Sequence, residues 1–439
     1  MLTLRQTTML GGIPTDWDSV PLRQLLAGHF PGDWGEERGI NMVRVLRSTN
    51  LTNDGRLNLD DVAVRALDPK TCAVLAPKRD DILLERSGGG PDQPVGRVGF
   101  VEIDMPGHAF SNFLQLLRPN PHKVDPRFLG WVLFWINRTG RILRLEQQTT
   151  QMRNLNVRDY LTMPLPLPSP DEQTVIAQIL KSADLAIEGT RDVIFRGMNA
   201  KRSLVQRLFA HGTRGESQKK TKIGWIPNSW HVVELKSVVD EFQYGMSVAM
   251  QASGSLPILR MGNIQAGDVL LTDLKYVTLP DRFTTPYLLQ RGDILFNRTN
   301  SQDLVGKVGI YRSDKPSVFA SYLIRLKNDA EQVDGYYLGQ LLDSYDAQCR
   351  IKRYATPGVQ QVNINAKNLG KVLIPLPTGR VGLEEQREIA AILEQADETI
   401  RAFGPKLKGL QELRCALMSD LLTGRVRVNC INLQSVGAE

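Results

Sequence analysis

The chain has 439 residues, 42% apolar and 23% charged, a composition normal for a globular protein with room for two to four domains. Its 54 Lys+Arg against 47 Asp+Glu give +7, which suits a polyanionic partner and equally a basic enzyme. Cys72, Cys349, Cys415 and Cys430 lack CxxC spacing and the five histidines do not cluster near them, arguing against a zinc site or disulfide framework. With no basic start followed by an apolar core, and a longest apolar run (Phe128 to Ile136) too short to span a bilayer, a reducing cytoplasm is expected.

Read from the start, the chain says the same thing twice. Ile13-Pro14-Thr15-Asp16-Trp17 returns as Ile226-Pro227-Asn228-Ser229-Trp230, and Glu172-Gln173 with Ile179-Leu180 returns as Glu385-Gln386 with Ile392-Leu393, at an offset of 213 residues. That spacing is far too long for a solenoid and predicts two copies of a whole domain with a joining element. The first part of each copy, about 13–168 and 226–377, is rich in short apolar runs, Gly, Pro and Asn, which predicts an α+β fold with a mixed α/β head of many turns in each copy.

Within each head, Arg79-Asp80-Asp81-Ile82-Leu83-Leu84-Glu85-Arg86-Ser87 matches Arg291-Gly292-Asp293-Ile294-Leu295-Phe296-Asn297-Arg298-Thr299. Each reads as a strand ending in an arginine and a hydroxyl on a polar loop, continued by Asn300 in the second copy, and returning through Gly96-Arg97-Val98-Gly99 or Gly306-Lys307-Val308-Gly309. A second strip, Gln151-Met152-Arg153-Asn154-Leu155-Asn156, matches Gln360-Gln361-Val362-Asn363-Ile364-Asn365. Arginine engages guanine bidentately, amides suit adenine edges, and lysine and hydroxyls hold phosphates. The same residue types also serve as solvated surface charge or as turn caps. The candidate DNA-facing set is Arg47, Arg86, Ser87, Arg97, Asn112, Gln151, Arg153 and Asn154 in the first copy. In the second it is Arg260, Arg298, Thr299, Asn300, Lys307, Tyr322, Gln360, Gln361 and Asn363.

After each head a proline-punctuated strand exit, Pro164 to Pro168 or Pro375 to Pro377, leads into a long helix that stops at Gly212 or Gly424. Apolar residues in the second helix fall at Ile389, Leu393, Ala396, Ile400, Phe403, Leu407, Leu410, Leu417 and Leu421, an alternating 4,3 rhythm. The seam of the first repeats in register at Ile176, Leu180, Ala183, Ile187, Thr190, Ile194, Gly197, Leu204 and Leu208, with Thr190 and Gly197 as departures from an apolar stripe. The slot between is Lys201 in one copy and Arg414 in the other. A helix of about 38 residues is roughly 57 Å long, longer than a head is wide, so the two are expected to pair as an antiparallel coiled coil. Gly404-Pro405 lies mid-seam and is expected to kink or break the second helix. The stretch 212–222 reads as a polar, basic connector, and the tail after Val428 as a segment without a repeat partner.

A catalytic reading does not find its parts. There is no phosphate loop and no dinucleotide fingerprint, and the run Gly88-Gly89-Gly90-Pro91 reads as a flexible turn. Asn120-Pro121-His122 lacks the second proline and the aromatic of an adenine methyltransferase box. Pro91-Asp92 with Glu102-Ile103-Asp104 lacks a nuclease lysine, so no metal site is expected and the chain reads as a binding protein.

The ordered set of Asp-Ile-Leu strands, Gln-x-x-Asn-x-Asn strips, Pro-Leu-Pro exits, Glu-Gln helix starts and the closing Leu421-Leu422-Thr423-Gly424-Arg425 resembles the specificity subunit of type I restriction-modification systems, over about 13–428. The resemblance implies two target-recognition domains, 1–168 and 213–377, each contacting half of a bipartite asymmetric site in double-stranded DNA. Spacer helices at 169–212 and 378–428 would set the separation and hold two modification subunits, with 429–439 as a tail. S-adenosylmethionine, ATP and Mg would then belong to the methyltransferase and motor-endonuclease partners, and this chain would bind no cofactor and catalyse nothing. Two rivals remain, a protein-only scaffold with two divergent adaptor domains and a remnant of a fused methyltransferase or nuclease.

Overall fold

The computed structural model describes residues 4–7, 9–90, 93–148, 152–358 and 361–428. Gln151, Gln360, Asp92 and the tail from 429 lie outside them. The chain forms two compact units, Met1–Thr190 with Lys406–Glu439, and Arg191–Pro405, so each long helix contributes residues to both units.

The Asp-Ile-Leu motif forms the inner strand of each unit. In the first, a four-stranded antiparallel sheet runs in the order Leu26–Pro31, Leu114–Pro119, Ile82–Glu85, Val98–Phe100. Its counterpart runs Val239–Tyr244, Leu323–Asn328, Ile294–Asn297, Val308–Ile310, then extends to Gly267–Val269 and Ile264–Gln265. Because successive side chains alternate faces, Ile82 and Leu84 enter one core while Leu83 enters another. Ile294 and Phe296 part from Leu295 in the same way. A strand buried on both faces must be apolar throughout, hence its legibility. The motif aspartate is structural: Asp81 takes a bidentate pair from Arg118 at 2.8 and 2.7 Å, and Asp293 pairs with Arg325 at 3.1 Å.

A second sheet of three strands stands beside each inner sheet: His108–Phe110, Met42–Leu46, Ala63–Ala66 in one unit and Lys275–Val277, Leu256–Leu259, Val318–Phe319 in the other. The proline exits are strands, as expected. Pro164–Leu167 pairs with Asp18–Pro21, and Leu373–Pro377 pairs with Trp230–Glu234.

The long helices run Pro170–His211 and Gly379–Leu421, with Gly212 and Gly424 in the left-handed region at φ 64° and 68°. Pro405 does not break the second helix, which is continuous across it. Gly404 before it is open to solvent, and loss of a single donor to one preceding carbonyl on an exposed turn is tolerated.

Each unit anchors helix ends in its core. Ile176, Ala177 and Leu180 cluster with Met418, Leu421 and Leu422 around Trp17. In the other unit Ile389, Ala390 and Leu393 cluster with Leu208 and Phe209 around Trp230. Both tryptophans donate Nε1 to the helix-start glutamate: Trp17 to Glu172 at 3.0 Å and Trp230 to Glu385 at 3.1 Å. Toward the middle Ile187 stays buried, whereas Ile194, Leu204, Ile400, Leu407 and Leu417 are half-buried. The two polar slots are filled by ion pairs, Arg414 with Asp184 and Lys201 with Asp397 at 2.7 Å.

The basic connector differs from expectation. Its Gln218–Thr221 pairs with Gly224–Pro227 as a hairpin, matching Leu4–Thr7 with Gly11–Pro14. Alternation over so short a polar stretch leaves no apolar signature, so pairing with the better-marked strand decides it.

Candidate functional site

The two motif strips of each head, distant in sequence, meet at the end of the inner strand. After Ile82–Glu85 the backbone of Arg86 is fixed on both sides, its N–H donating to Phe113 O and its carbonyl accepting from Leu155 N. Ser87 and Gly88 then pair with Asn154 and Arg153 in a small sheet completed by Glu146–Gln148. In the other unit Arg298 N–H donates to Tyr322 O and its carbonyl accepts from Ile364 N, while Thr299 and Asn300 pair with Asn363 and Val362. The chain therefore builds the same polar ledge twice, with an arginine at its corner.

The two arginines are held differently. Among the described residues the half-buried guanidinium of Arg86 has no hydrogen bond or ion pair, and every donor is available. Arg298 lies over the ring of Tyr244, 5.0 Å from its centroid, gives a long bond of 3.4 Å to Ser321 O, and keeps Nε without a partner. Stacking of a guanidinium on an aromatic face fixes its plane while leaving its edge to donate. Tyr244, which is 40% exposed, was not marked in the sequence because the first copy has Pro31 at that place.

Around these corners Asn112 and Tyr322 are both exposed, each in the turn that precedes the neighbouring strand. Gln361 is exposed as well. Arg153 is tied to Glu146 at 2.7 Å, and Asn363 accepts from the hydroxyl of the buried Thr299, which turns that hydroxyl inward. Asn300 accepts from Ser301 N–H. Lys307 is half-buried, immediately before the strand Val308–Ile310. The final asparagine of each strip is a helix cap: Asn156 accepts from Asp159 N–H and Asn365 from Asn368 N–H.

Three other candidate arginines are engaged by acids and carbonyls of the chain itself. Arg97 spends four bonds inward, on both oxygens of Glu85 (2.9 and 2.7 Å), Leu51 O (2.7 Å) and Ser48 O (3.0 Å). Its partner Glu85 is 1% exposed, so turning Arg97 toward a ligand would strand a buried carboxylate. Arg47 reaches Asp61 at 2.8 Å, and Arg260 reaches Asp273 at 2.8 Å, each also bonding the backbone carbonyl of its aspartate. Their repeated pairing with a capping asparagine, Asn50 or Asn263, marks one turn built the same way in both heads.

No group of His, Cys, Asp or Glu able to hold a metal occurs among the described residues, and no described helix is long and apolar enough to cross a membrane.

The family described as type I restriction modification DNA specificity domain matches this chain twice, over 43–193 and 227–408. The MjaVIII specificity subunit of a type I restriction enzyme from Methanocaldococcus jannaschii is 28% identical over 96% of this chain and 95% of its own length. A second chain of that organism, named for the MjaX specificity subunit, is 33% identical over 212 residues, about half of each chain. The EcoKI specificity subunit of Escherichia coli is 20% identical over 95% of this chain and 90% of its own. Among solved structures, a type I restriction-modification S subunit from M. genitalium superposes with a TM-score of 0.56 over 92% of this chain and 96% of that one, at 16% identity. Another, from work on complex assembly and conformational transition of the type I system, gives 0.51 over 94% and 99%, at 17% identity.

Proposed function

The chain belongs to the type I restriction-modification DNA specificity family, and we propose that it is the sequence-reading subunit of such a system, reading one half of a bipartite duplex site with each head. The observation that carries this reading is the doubled ledge: Arg86-Ser87 and Arg298-Thr299 leave equivalent strands at equivalent backbone positions, while the residues around them differ. A fixed backbone with variable polar side chains is what one scaffold needs to read two different half-sites. On this reading the repeat is pseudo-twofold, and the two long helices pair as an antiparallel coiled coil. Asp184 with Arg414 and Lys201 with Asp397 are its polar layers, and its outer faces carry two methyltransferase subunits and the restriction subunits. S-adenosylmethionine, ATP and Mg would be held by those partners, and this chain would contribute binding alone.

The test is methylome sequencing of cells that carry the chain with a modification subunit. An asymmetric two-part methylated motif is expected, and replacing Arg298 by Ala should alter one part of it. A single contiguous motif, or none that depends on this chain, would sink the reading.

A further inference from the structure

In the second unit a cavity of about 640 Å³ opens between the connector hairpin and the helix Tyr345–Lys352, and Lys222, Trp225, Arg350, Arg353 and Tyr354 line it. Its size is that of a small-ligand site. Trp225 is 59% exposed and Lys222 and Arg353 are exposed, whereas Arg350 is half-buried. Among the described residues the guanidinium of Arg350 makes no hydrogen bond or ion pair, and its Nε is buried without an acceptor. Burial lowers the pKa of Arg350, while nearby Asp346 pushes it up. A buried guanidinium nitrogen left without an acceptor is costly, and an acceptor from outside the chain would satisfy it.

The first unit shows what satisfies this position. Ile142 faces Gly96 there as Ile351 faces Gly306 in the second unit, which makes Arg141 the counterpart of Arg350. Arg141 donates through Nη1 to Met9 O at 2.6 Å, and Met9 and Leu10 are buried beside it. In the second unit only Lys222 and Ile223 separate the hairpin strands, and Trp225 stands where the first copy has Gly12. The carbonyl is withdrawn, an aromatic face is added, and Lys222 and Arg353 join Arg350 against the single carboxylate of Asp346.

We propose that this cleft binds a nucleotide phosphate, the phosphate seated among Lys222, Arg350 and Arg353 and the base ring laid on Trp225. Guanidinium groups suit phosphate oxygens and an exposed indole face suits any base, so the site recognises the phosphate-and-base unit whatever its sequence. That unit can be a free mononucleotide or part of a DNA strand, and the probes separate these sources.

The full chain would be titrated with AMP, adenosine, inorganic phosphate and a short duplex, following tryptophan fluorescence and calorimetric heat. AMP is expected to bind and quench, with adenosine at least tenfold weaker. Because Lys222 and Arg353 are exposed, Lys222→Gln with Arg353→Gln should leave the thermal melt unchanged and weaken AMP at least tenfold. Trp225→Phe should remove the quench. Arg350→Lys should retain part of the affinity that Arg350→Gln loses. A tenfold loss confined to the duplex would assign the phosphate to a DNA strand. Absence of binding by every phosphate probe, or binding that the double variant does not weaken, overturns the proposal. AMP does not depend on the reading ledges, so this result stands apart from the methylome test.

Discussion

The carboxylate of Asp184 faces the guanidinium of Arg414 at 2.5 Å, although 230 residues separate them in the chain. In the other unit Asp397 and Lys201 stand in the corresponding places, with acid and base drawn from opposite helices. Arg414 is 6% exposed, so each pair is held mostly away from water. Removing one partner of a buried pair costs about 3–5 kcal/mol because the other charge is stranded, whereas an apolar substitute for both is far cheaper. Arg414→Ala should fall toward the low end of that range, since Asp184 retains Arg56 at 2.7 Å. Arg414→Met with Asp184→Leu should recover much of the loss. Denaturant melts of the single and double variants check this, and equal destabilisation by both would remove the ion pair as a determinant.

Arg56 supplies a second expectation. It reaches from the first head to both Asp184 and Glu188 on the long helix. The matching position in the second unit, Asp268, carries the opposite charge and meets Arg401 at 3.1 Å and Arg312 at 2.6 Å. Each head therefore has its own charge code for its helix. Arg56→Asp should destabilise by about 1 kcal/mol, a typical scale for partly exposed pairs. Adding Glu188→Arg should restore most of it. A double-mutant cycle with no coupling would show that packing alone seats the head.

Much of the framework was legible because its causes are local. Ile82 to Leu84 is apolar on both faces, Gly212 and Gly424 end helices for a backbone reason, and the Glu-Gln pairs recur at one offset. The candidate site was only half legible. Arg86 and Arg97 look alike in sequence, yet Arg97 is claimed by Glu85 and Arg86 is not, and only three-dimensional pairing separates them. Tyr244 was missed because one copy lacks it, and Pro405 misled because an exposed helical turn tolerates what a buried one does not.

Asp343 gives a pH dependence with a definite sign. Burial pushes its carboxyl up to about 7, with Lys201 opposing and Asp397 and Asp268 reinforcing. Its folded pKa exceeds the ordinary 3.8, so the folded state binds the extra proton between roughly pH 4 and 7 and loses stability as pH rises through that window. Each unit of displacement is worth about 1.4 kcal/mol. Asp343→Asn should therefore raise the melting temperature at pH 8 and leave it nearly unchanged at pH 4. A gain of the same size at both would mean that ionisation is not the cause.

The two corner arginines should fail separately. Arg86 has its full set of donors free among the described residues, while Arg298 is oriented by Tyr244. If each makes a bidentate base contact, replacing either by Ala should cost about 1–3 kcal/mol on its own half-site and nothing on the other. Tyr244→Leu keeps the charge of Arg298 but frees its plane, so it should weaken discrimination at the Arg298 half-site more than overall affinity. Gel shifts on duplexes degenerate in one half-site at a time, repeated over a series of salt concentrations, read both quantities and the salt slope. If Arg298→Ala weakens every duplex equally and flattens the salt dependence by about one unit, the contact is to phosphate, and the base reading at that corner falls to the amide strip beside it.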